Sequence, residues 1–366
     1  MRTTESRSYA LKDTAPGVGG VERFASWLTC RIDSWIAVDW AVALYATFVA
    51  ILAVARASSV PKWPHILFAH MLLVTVLIWL PPRGAAWERP RPDERRPTAW
   101  ARDAARFLRY TYAALLLTPF FEEVALTVNA IAPGAPYWFE RHLYAIDRAI
   151  AGATPAVWLS QAGFPILDEI MHAFYLSYFA IIPGGVVIAW TGGRRGRTTP
   201  AAGFHAAMTT MMLGFLLSYV WYPFLPARGP WENPELMAGL RPFGGWVFTS
   251  AIKMIVAHAA VSGGCFPSAH VSGTWALTFG LYPRHRKVAL IFGLVAVGLS
   301  AACVYTRYHH GIDVLAGFTV AVIAARIGRC MRDPGRCAPP SDGTEKAFLT
   351  ISVLDRTGPG PTEVEM

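Results

Sequence analysis

Two short stretches of the sequence hold side chains suited to nucleophilic and acid–base chemistry. They are Phe266-Pro267-Ser268-Ala269-His270 and Arg307-Tyr308-His309-His310-Gly311-Ile312-Asp313. His309 and Asp313 are four residues apart, which on one helical turn sets them on a common face with the carboxylate against the imidazole. An Asp that holds one ring nitrogen fixes the tautomer, leaves the other nitrogen free to attack, and stabilises the ring once it is substituted. His309 is thereby a candidate nucleophile towards phosphorus, and His270 a candidate donor of the proton that a departing alkoxide needs. Phosphoryl oxygens gather negative charge during such a displacement. Fixed cations such as Arg228 and Arg307 would stabilise it, as would backbone N–H groups near Ser268 if a helix starts there.

Those residues must be positioned by a membrane protein. The chain of 366 residues is 54% hydrophobic and 16% charged, too apolar for an ordinary soluble domain. Its formal charge of +9 is clustered between apolar runs, as an inside-positive topology requires, and this argues against a nucleic-acid partner. The cysteines Cys30, Cys265, Cys303, Cys330 and Cys337 lack the spacing of a metal knuckle or a disulfide framework. The first 34 residues contain no early apolar block, so no cleaved signal peptide is expected.

A helix needs about 20 mostly apolar residues to cross the hydrocarbon layer, and about eight runs approach that length. They fall near 36–55, 64–81, 110–132, 166–190, 201–224, 266–282, 288–306 and 313–328. The expected fold is therefore an all-α, polytopic helical bundle. Basic segments follow the second span (Arg83 to Arg109), the fourth (Arg194, Arg195, Arg197), the sixth (Arg284, Arg286, Lys287) and the eighth (Arg326, Arg329, Arg332). Each follows an even-numbered span, so a cytoplasmic N terminus puts all of them on the cytoplasmic side. The chain then divides into a cytoplasmic segment 1–34, N-terminal spans 35–132 with an Arg-rich cytoplasmic loop 82–109, a catalytic membrane core 133–330 and a disordered cytoplasmic tail 331–366. Two amphipathic stretches, 136–168 and 240–261, read as helices lying in the interface. In this topology Arg228, His270, Arg307, His309 and Asp313 all fall at the non-cytoplasmic face, although four sequence-distant elements carry them.

At these residues the sequence resembles the type 2 phosphatidic acid phosphatase (PAP2) superfamily, and within it the branch of inositol phosphorylceramide synthases. Phe266-Pro267-Ser268-Ala269-His270 resembles the superfamily's Pro-Ser-x-His motif, and His309-x-x-x-Asp313 with Val314 and Ala316-Gly317 resembles its final motif. The resemblance covers roughly residues 135–330. It implies His309 as nucleophile, His270 as general acid, Asp313 as orienting partner, Ser268 as phosphate ligand, and chemistry without a metal or other cofactor. It implies a bacterial cell-membrane phosphatase or phosphotransferase acting on a lipid phosphate or phospholipid, with water or a lipid alcohol or inositol-type acceptor receiving the phosphoryl group. Two features depart from the pattern. The Arg that the superfamily places six residues before the nucleophile is Cys303 here, so the basic role passes to Arg307. The superfamily's first motif has its nearest substitute in Tyr222-Pro223-Phe224-Leu225-Pro226-Ala227-Arg228-Gly229-Pro230.

Blander readings stand beside these. His65, His70, His172, His205 and His258 read as hydrogen-bonded structural residues, and Cys265 as a small packing residue. His310 reads equally as a pocket residue or an interfacial one. At least one of Glu122 and Glu123 should face the bundle or a polar cavity, with a partner the sequence does not name. Arg307 could instead reach towards headgroups, and Arg228 could be ordinary loop chemistry. A metal held by His270, His309 and Asp313 is the competing chemistry, without an HExxH motif or Cys pair behind it. A non-enzymatic transporter or lipid-binding protein with a His/Asp polar site is the competing function.

Overall fold

A computed structural model of the chain describes residues 20–80, 95–128, 130–131, 139–193 and 202–332. The first 19 residues, the start of the Arg-rich loop, the cluster Arg194, Arg195, Arg197 and the tail from 333 lie outside the described residues. The described residues are helical, with no strand among them. In chain order the helices are α1 (Gly20–Asp33), α2 (Ala37–Ala55), α3 (Trp63–Trp79), α4 (Arg96–Leu115), α5 (Leu117–Thr127), α6 (Glu140–Ala151), α7 (Pro155–Gln161) and α8 (Pro165–Leu176). They continue with α9 (Tyr178–Gly193), α10 (Ala202–Trp221), α11 (Pro234–Ala238), α12 (Val247–Ala259), α13 (Ala269–Leu281), α14 (Arg286–Tyr305) and α15 (Gly311–Arg332).

Among the described residues, five helical segments are long and apolar enough to cross a membrane: Ala37–Ala55, Pro165–Gly192, Gly203–Trp221, Arg286–Tyr305 and Gly311–Cys330. Three of the eight expected runs differ from these segments in length or continuity. α3 is apolar but only 17 residues long. The third run is not one helix, because the segment expected as the end of the Arg-rich loop is already helical. α4 carries Arg102, Asp103, Arg106 and Arg109 and gives way to α5 after Leu116. Buried ion pairing makes this possible, with Arg109 Nη1 3.5 Å from Asp39 of α2, and the Tyr112 hydroxyl donating to Asp39 at 2.6 Å. The sixth run is α13, which at 13 residues spans about 20 Å, short of a hydrocarbon layer of about 30 Å. Its environment explains the shortfall. α13 lies against α9, α10, α14 and α15, and most of its residues are buried, so protein rather than lipid sets its length.

Small residues bring these central helices close. A Cβ added at Gly214 of α10 would sit 2.6 Å from the Ala276 Cβ and 2.8 Å from the Ser272 carbonyl oxygen of α13. One added at Gly317 of α15 would sit 2.6 Å from the Ser268 carbonyl oxygen. Separations this short leave no room for a side chain, so α15 carries glycine where it crosses the start of α13. The outer faces show Leu44, Ile51, Phe68, Leu290, Leu294 and Leu315 exposed, an apolar surface of the kind that faces lipid.

Helix starts at one end of the bundle are held from a distance. The Gly311 and Ile312 N–H groups, which open α15, donate to Asp147 of α6 at 2.9 and 2.8 Å. Glu169 of α8 accepts from the Trp246 and Phe248 N–H groups at 2.7 and 2.6 Å, where α12 begins. Carboxylates suit these places because the first N–H groups of a helix lack partners and carry the positive end of its dipole. Both stretches expected to lie in the interface contain helices, α6 and α7 in one and α12 in the other, and each supplies or receives one of these bonds.

Candidate active site

The site forms where the start of α13, the turn between α14 and α15 and the start of α15 converge. Ser268 is the N-cap of α13 and its Oγ accepts from the Val271 N–H at 3.4 Å. Its own N–H donates to the Asp313 carbonyl oxygen at 3.2 Å, which ties the two helix starts together. That leaves His270 one residue inside α13 and His309 two residues before α15. Asp313 lies in the first turn of α15.

His309 uses its two nitrogens in opposite directions. Nδ1 lies 3.3 Å from Asp313 Oδ2, while Nε2 lies 3.2 Å from Ser268 Oγ and 3.4 Å from His270 Nδ1. Asp313 and Ser268 are fully buried and His309 nearly so. Burial pushes His309 down from its ordinary value of 6.5 to about 4, which keeps the imidazole neutral near pH 7. His270 is held by aromatic rings on α8 and α9, with the Tyr175 hydroxyl 3.3 Å from Nε2 and the Tyr178 ring centroid 4.6 Å away. The four residues expected to act together, His270, His309, Asp313 and Ser268, are thus within hydrogen-bond reach of one another in a chain of contacts.

His270 and His309 open on a cavity of about 220 Å³. His270, His309, Tyr175 and Tyr178 line it together with Cys265, Glu122 and Glu232, and much of the rest of the wall is apolar. Among the described residues that line it there is no Lys or Arg. Of the two glutamates left open by the sequence, Glu122 faces this cavity, and Glu123 turns the other way to meet His70 Nε2 at 3.4 Å.

The two expected phosphate-binding arginines are placed elsewhere. Arg228 pairs with Glu140 of α6, with Nε 2.9 Å from Oε2, and its backbone N–H donates to the same oxygen at 3.1 Å. Arg307 is 1% exposed and takes a left-handed backbone conformation, φ 68°, which is costly for a side chain of this size. Its Nε donates to Ser160 Oγ at 3.0 Å, one Nη donates to the Arg241 carbonyl oxygen at 2.8 Å, and the guanidinium lies 4.2 Å from the centre of the Phe243 ring. Arg307 therefore points into a brace beside the histidines. Asp168 is the hub of that brace, accepting from both Nη groups of Arg241 at 2.8 and 2.6 Å, from the Tyr305 hydroxyl at 2.6 Å and from the Gly244 N–H at 2.8 Å.

His310 is fully buried and belongs to the scaffold. Its backbone N–H donates to Asp313 Oδ2 at 2.8 Å, its Nε2 lies 3.1 Å from the Arg228 carbonyl oxygen, and its ring meets Tyr144 edge-on. Cys265, read from the sequence as packing, is a polar neighbour. Its Sγ donates to Asp313 Oδ2 at 2.9 Å and lies 3.6 Å from His309 Nδ1. The sequence offered no signal for that contact, since Cys265 and Asp313 are 48 residues apart with no motif joining them. The Arg241–Asp168 pair was equally hidden. Asp168 was noticeable as a charged residue at the head of an apolar run, but nothing marked its partner.

The PAP2 superfamily model matches residues 141–327, which contain His270, His309, Asp313, Ser268, Arg228 and Arg307. No curated protein and no solved structure matches the chain.

Proposed function

The chain belongs to the PAP2 superfamily of helical membrane phosphatases and phosphotransferases, and on that premise we propose that it transfers a phosphoryl group from a phosphate-containing lipid through a phosphohistidine at His309. It is an integral membrane protein. The reaction starts when His309 Nε2 attacks phosphorus, with the Nδ1 proton held on Asp313. The ring becomes positive as the P–N bond forms, and the carboxylate stabilises it. His270 gives its proton to the leaving oxygen, and Ser268 turns its hydroxyl from His309 to a phosphoryl oxygen at the start of α13. In the second half the acceptor loses its proton to His270 and takes the phosphoryl group. Water as acceptor makes a phosphatase, and an inositol-type or lipid alcohol makes a transferase. Arg228 and Arg307 enter this reading as residues that hold the loops around the site. This reading puts the reaction at the non-cytoplasmic face, opposite the basic clusters if the N terminus is cytoplasmic.

The observation that carries this reading is the division of labour in His309. One nitrogen meets the buried carboxylate, and the other faces Ser268 and His270, of which His270 lines the cavity. The trial is His309→Ala in purified protein, incubated with lipid phosphates and with phosphatidylinositol plus ceramide or diacylglycerol. Turnover on any accepted substrate should fall by about 10³-fold or more. Turnover equal to that of the unmodified protein would remove His309 from the reaction.

A further inference from the structure

Behind the nucleophile, on the side away from Ser268 and His270, three ligating groups of different chemistry meet. Cys265 Sγ, His309 Nδ1 and a carboxylate oxygen of Asp313 all lie within 4.8 Å of one another, and all three residues are buried. Asp313 Oδ2 is crowded, taking contacts from the Cys265 thiol, the His309 ring and the His310 N–H. Asp313 Oδ1, equally buried, has no hydrogen-bond partner among the described residues. A buried carboxylate with one oxygen lacking a donor is costly, and a cation that neutralises the carboxylate is one way to offset that cost.

The spacing matches a particular kind of cation. Tetrahedral zinc with its usual bond lengths sets sulfur and nitrogen ligands about 3.6 Å apart, and nitrogen and oxygen ligands about 3.4 Å apart. The corresponding separations are 3.6 Å from Cys265 Sγ to His309 Nδ1 and 3.3 Å from His309 Nδ1 to Asp313 Oδ2. Only the third edge is short. The Sγ to Oδ2 separation of 2.9 Å is that of a thiol proton shared with a carboxylate, and replacing the proton by a metal would open it by roughly 0.7 Å. Cys265 and His309 also line the cavity, so a small ion has a route to the place.

We propose that Cys265, His309 and Asp313 form an inhibitory seat for a thiophilic divalent cation, zinc above all, directly behind the nucleophile. The inhibitory part rests on the role given to His309 above; the binding part does not. On binding, the Cys265 S–H bond breaks, its proton leaves to solvent, and the sulfur bonds the metal as thiolate. Asp313 contributes an oxygen, and His309 contributes the Nδ1 lone pair. The neutral ring must then carry its proton on Nε2, so the nitrogen that faces the cavity has no lone pair left to attack phosphorus. A water or a phosphoryl oxygen fills the fourth position. The cation thus blocks the reaction by fixing the wrong tautomer, and a substrate that reaches the cavity finds no nucleophile.

The test uses the full chain purified in detergent, with cobalt(II) chloride as the spectroscopic probe and zinc(II) chloride as the inhibitor. The unmodified protein should bind one cobalt with a thiolate-to-cobalt charge-transfer absorption, and Cys265→Ala should lose that absorption. Zinc should inhibit the unmodified protein, and its half-inhibitory concentration, scaled to each variant's own activity, should rise at least about tenfold in Cys265→Ala. No thiolate absorption in the unmodified protein, equal absorption in Cys265→Ala, or equal zinc sensitivity in the two overturns the seat. If the absorption depends on Cys265 while His309→Ala still turns substrate over, the seat stands and the phosphohistidine reading falls.

Discussion

Two buried polar clusters sit side by side at one end of this bundle, and they are built on opposite lines. In the brace, Asp168 accepts four bonds, each between 2.6 and 2.8 Å, and both of its oxygens are used. In the histidine centre the contacts of the His309 ring are longer, 3.2 to 3.4 Å to Ser268, Asp313 and His270 and 3.6 Å to Cys265, and Asp313 leaves one oxygen without a partner among the described residues. Short, saturated bonds fix charged groups in place and leave them nothing further to do. Longer and incomplete contacts cost stability but leave a lone pair and a proton available to an incoming group. The difference teaches how a short sequence motif should be divided. Arg307 and His309 are two residues apart, yet the first is spent in the brace and the second faces the cavity.

The comparison breaks if substitutions in the two clusters have the same kind of effect. Asp313→Asn should be the most damaging to chemistry. The amide keeps the shape but favours the wrong His309 tautomer, and in the Asp–His pair of serine proteases the same change lowers turnover about 10⁴-fold. We expect a loss of that order here with a thermal midpoint close to the unmodified protein's, read by turnover and by thermal unfolding in detergent. A midpoint that collapses with turnover would make Asp313 a brace residue like Asp168.

Asp168→Asn should show the converse. It leaves the Arg241 guanidinium without its carboxylate next to a buried hub, and breaking a buried pair from one side costs about 3–5 kcal/mol. Thermal unfolding in detergent should drop by on the order of 10 °C. Below the new midpoint, the protein that remains folded should keep turnover within about tenfold, because the bonds of the Asp168 carboxylate go to Arg241, Tyr305 and Gly244 and none to His270 or His309. A variant that is fully stable and catalytically dead would move the brace into the reaction.

What the sequence could and could not reveal follows from the range of the interactions. His309 and Asp313 were legible because one helical turn joins them, and Ser268 and His270 because they share a motif at a helix start. The helical fold was legible from runs of apolar residues. The shortness of α13 was not, since a run of 17 apolar residues reads alike whether lipid or protein surrounds it. The fusion of the Arg-rich stretch into α4 was also hidden, because the pairing of Arg109 with Asp39 crosses 70 positions of sequence. Cys265, Asp147 and Arg241 were missed for the same reason. Each acts through contacts with residues far away in sequence, which leave no periodic trace.

Arg228 offers the finest discrimination, and the smallest expected effect. The sequence placed it among the phosphate ligands, whereas in the structure it is 36% exposed and paired with Glu140. A half-exposed ion pair contributes about 0–1 kcal/mol, since water screens the attraction and two long side chains must be ordered to make it. Arg228→Ala should therefore move the thermal midpoint by a few degrees at most and leave turnover within roughly threefold. Glu140 would still accept the backbone N–H of residue 228, so the loop keeps one tie to α6. A loss of about 10²-fold or more in turnover, with the midpoint unchanged, would mean that the guanidinium leaves Glu140 for the phosphate during the reaction. That result would place a mobile cation at the mouth of a cavity whose described lining holds none, and would return Arg228 to the role its sequence context suggested.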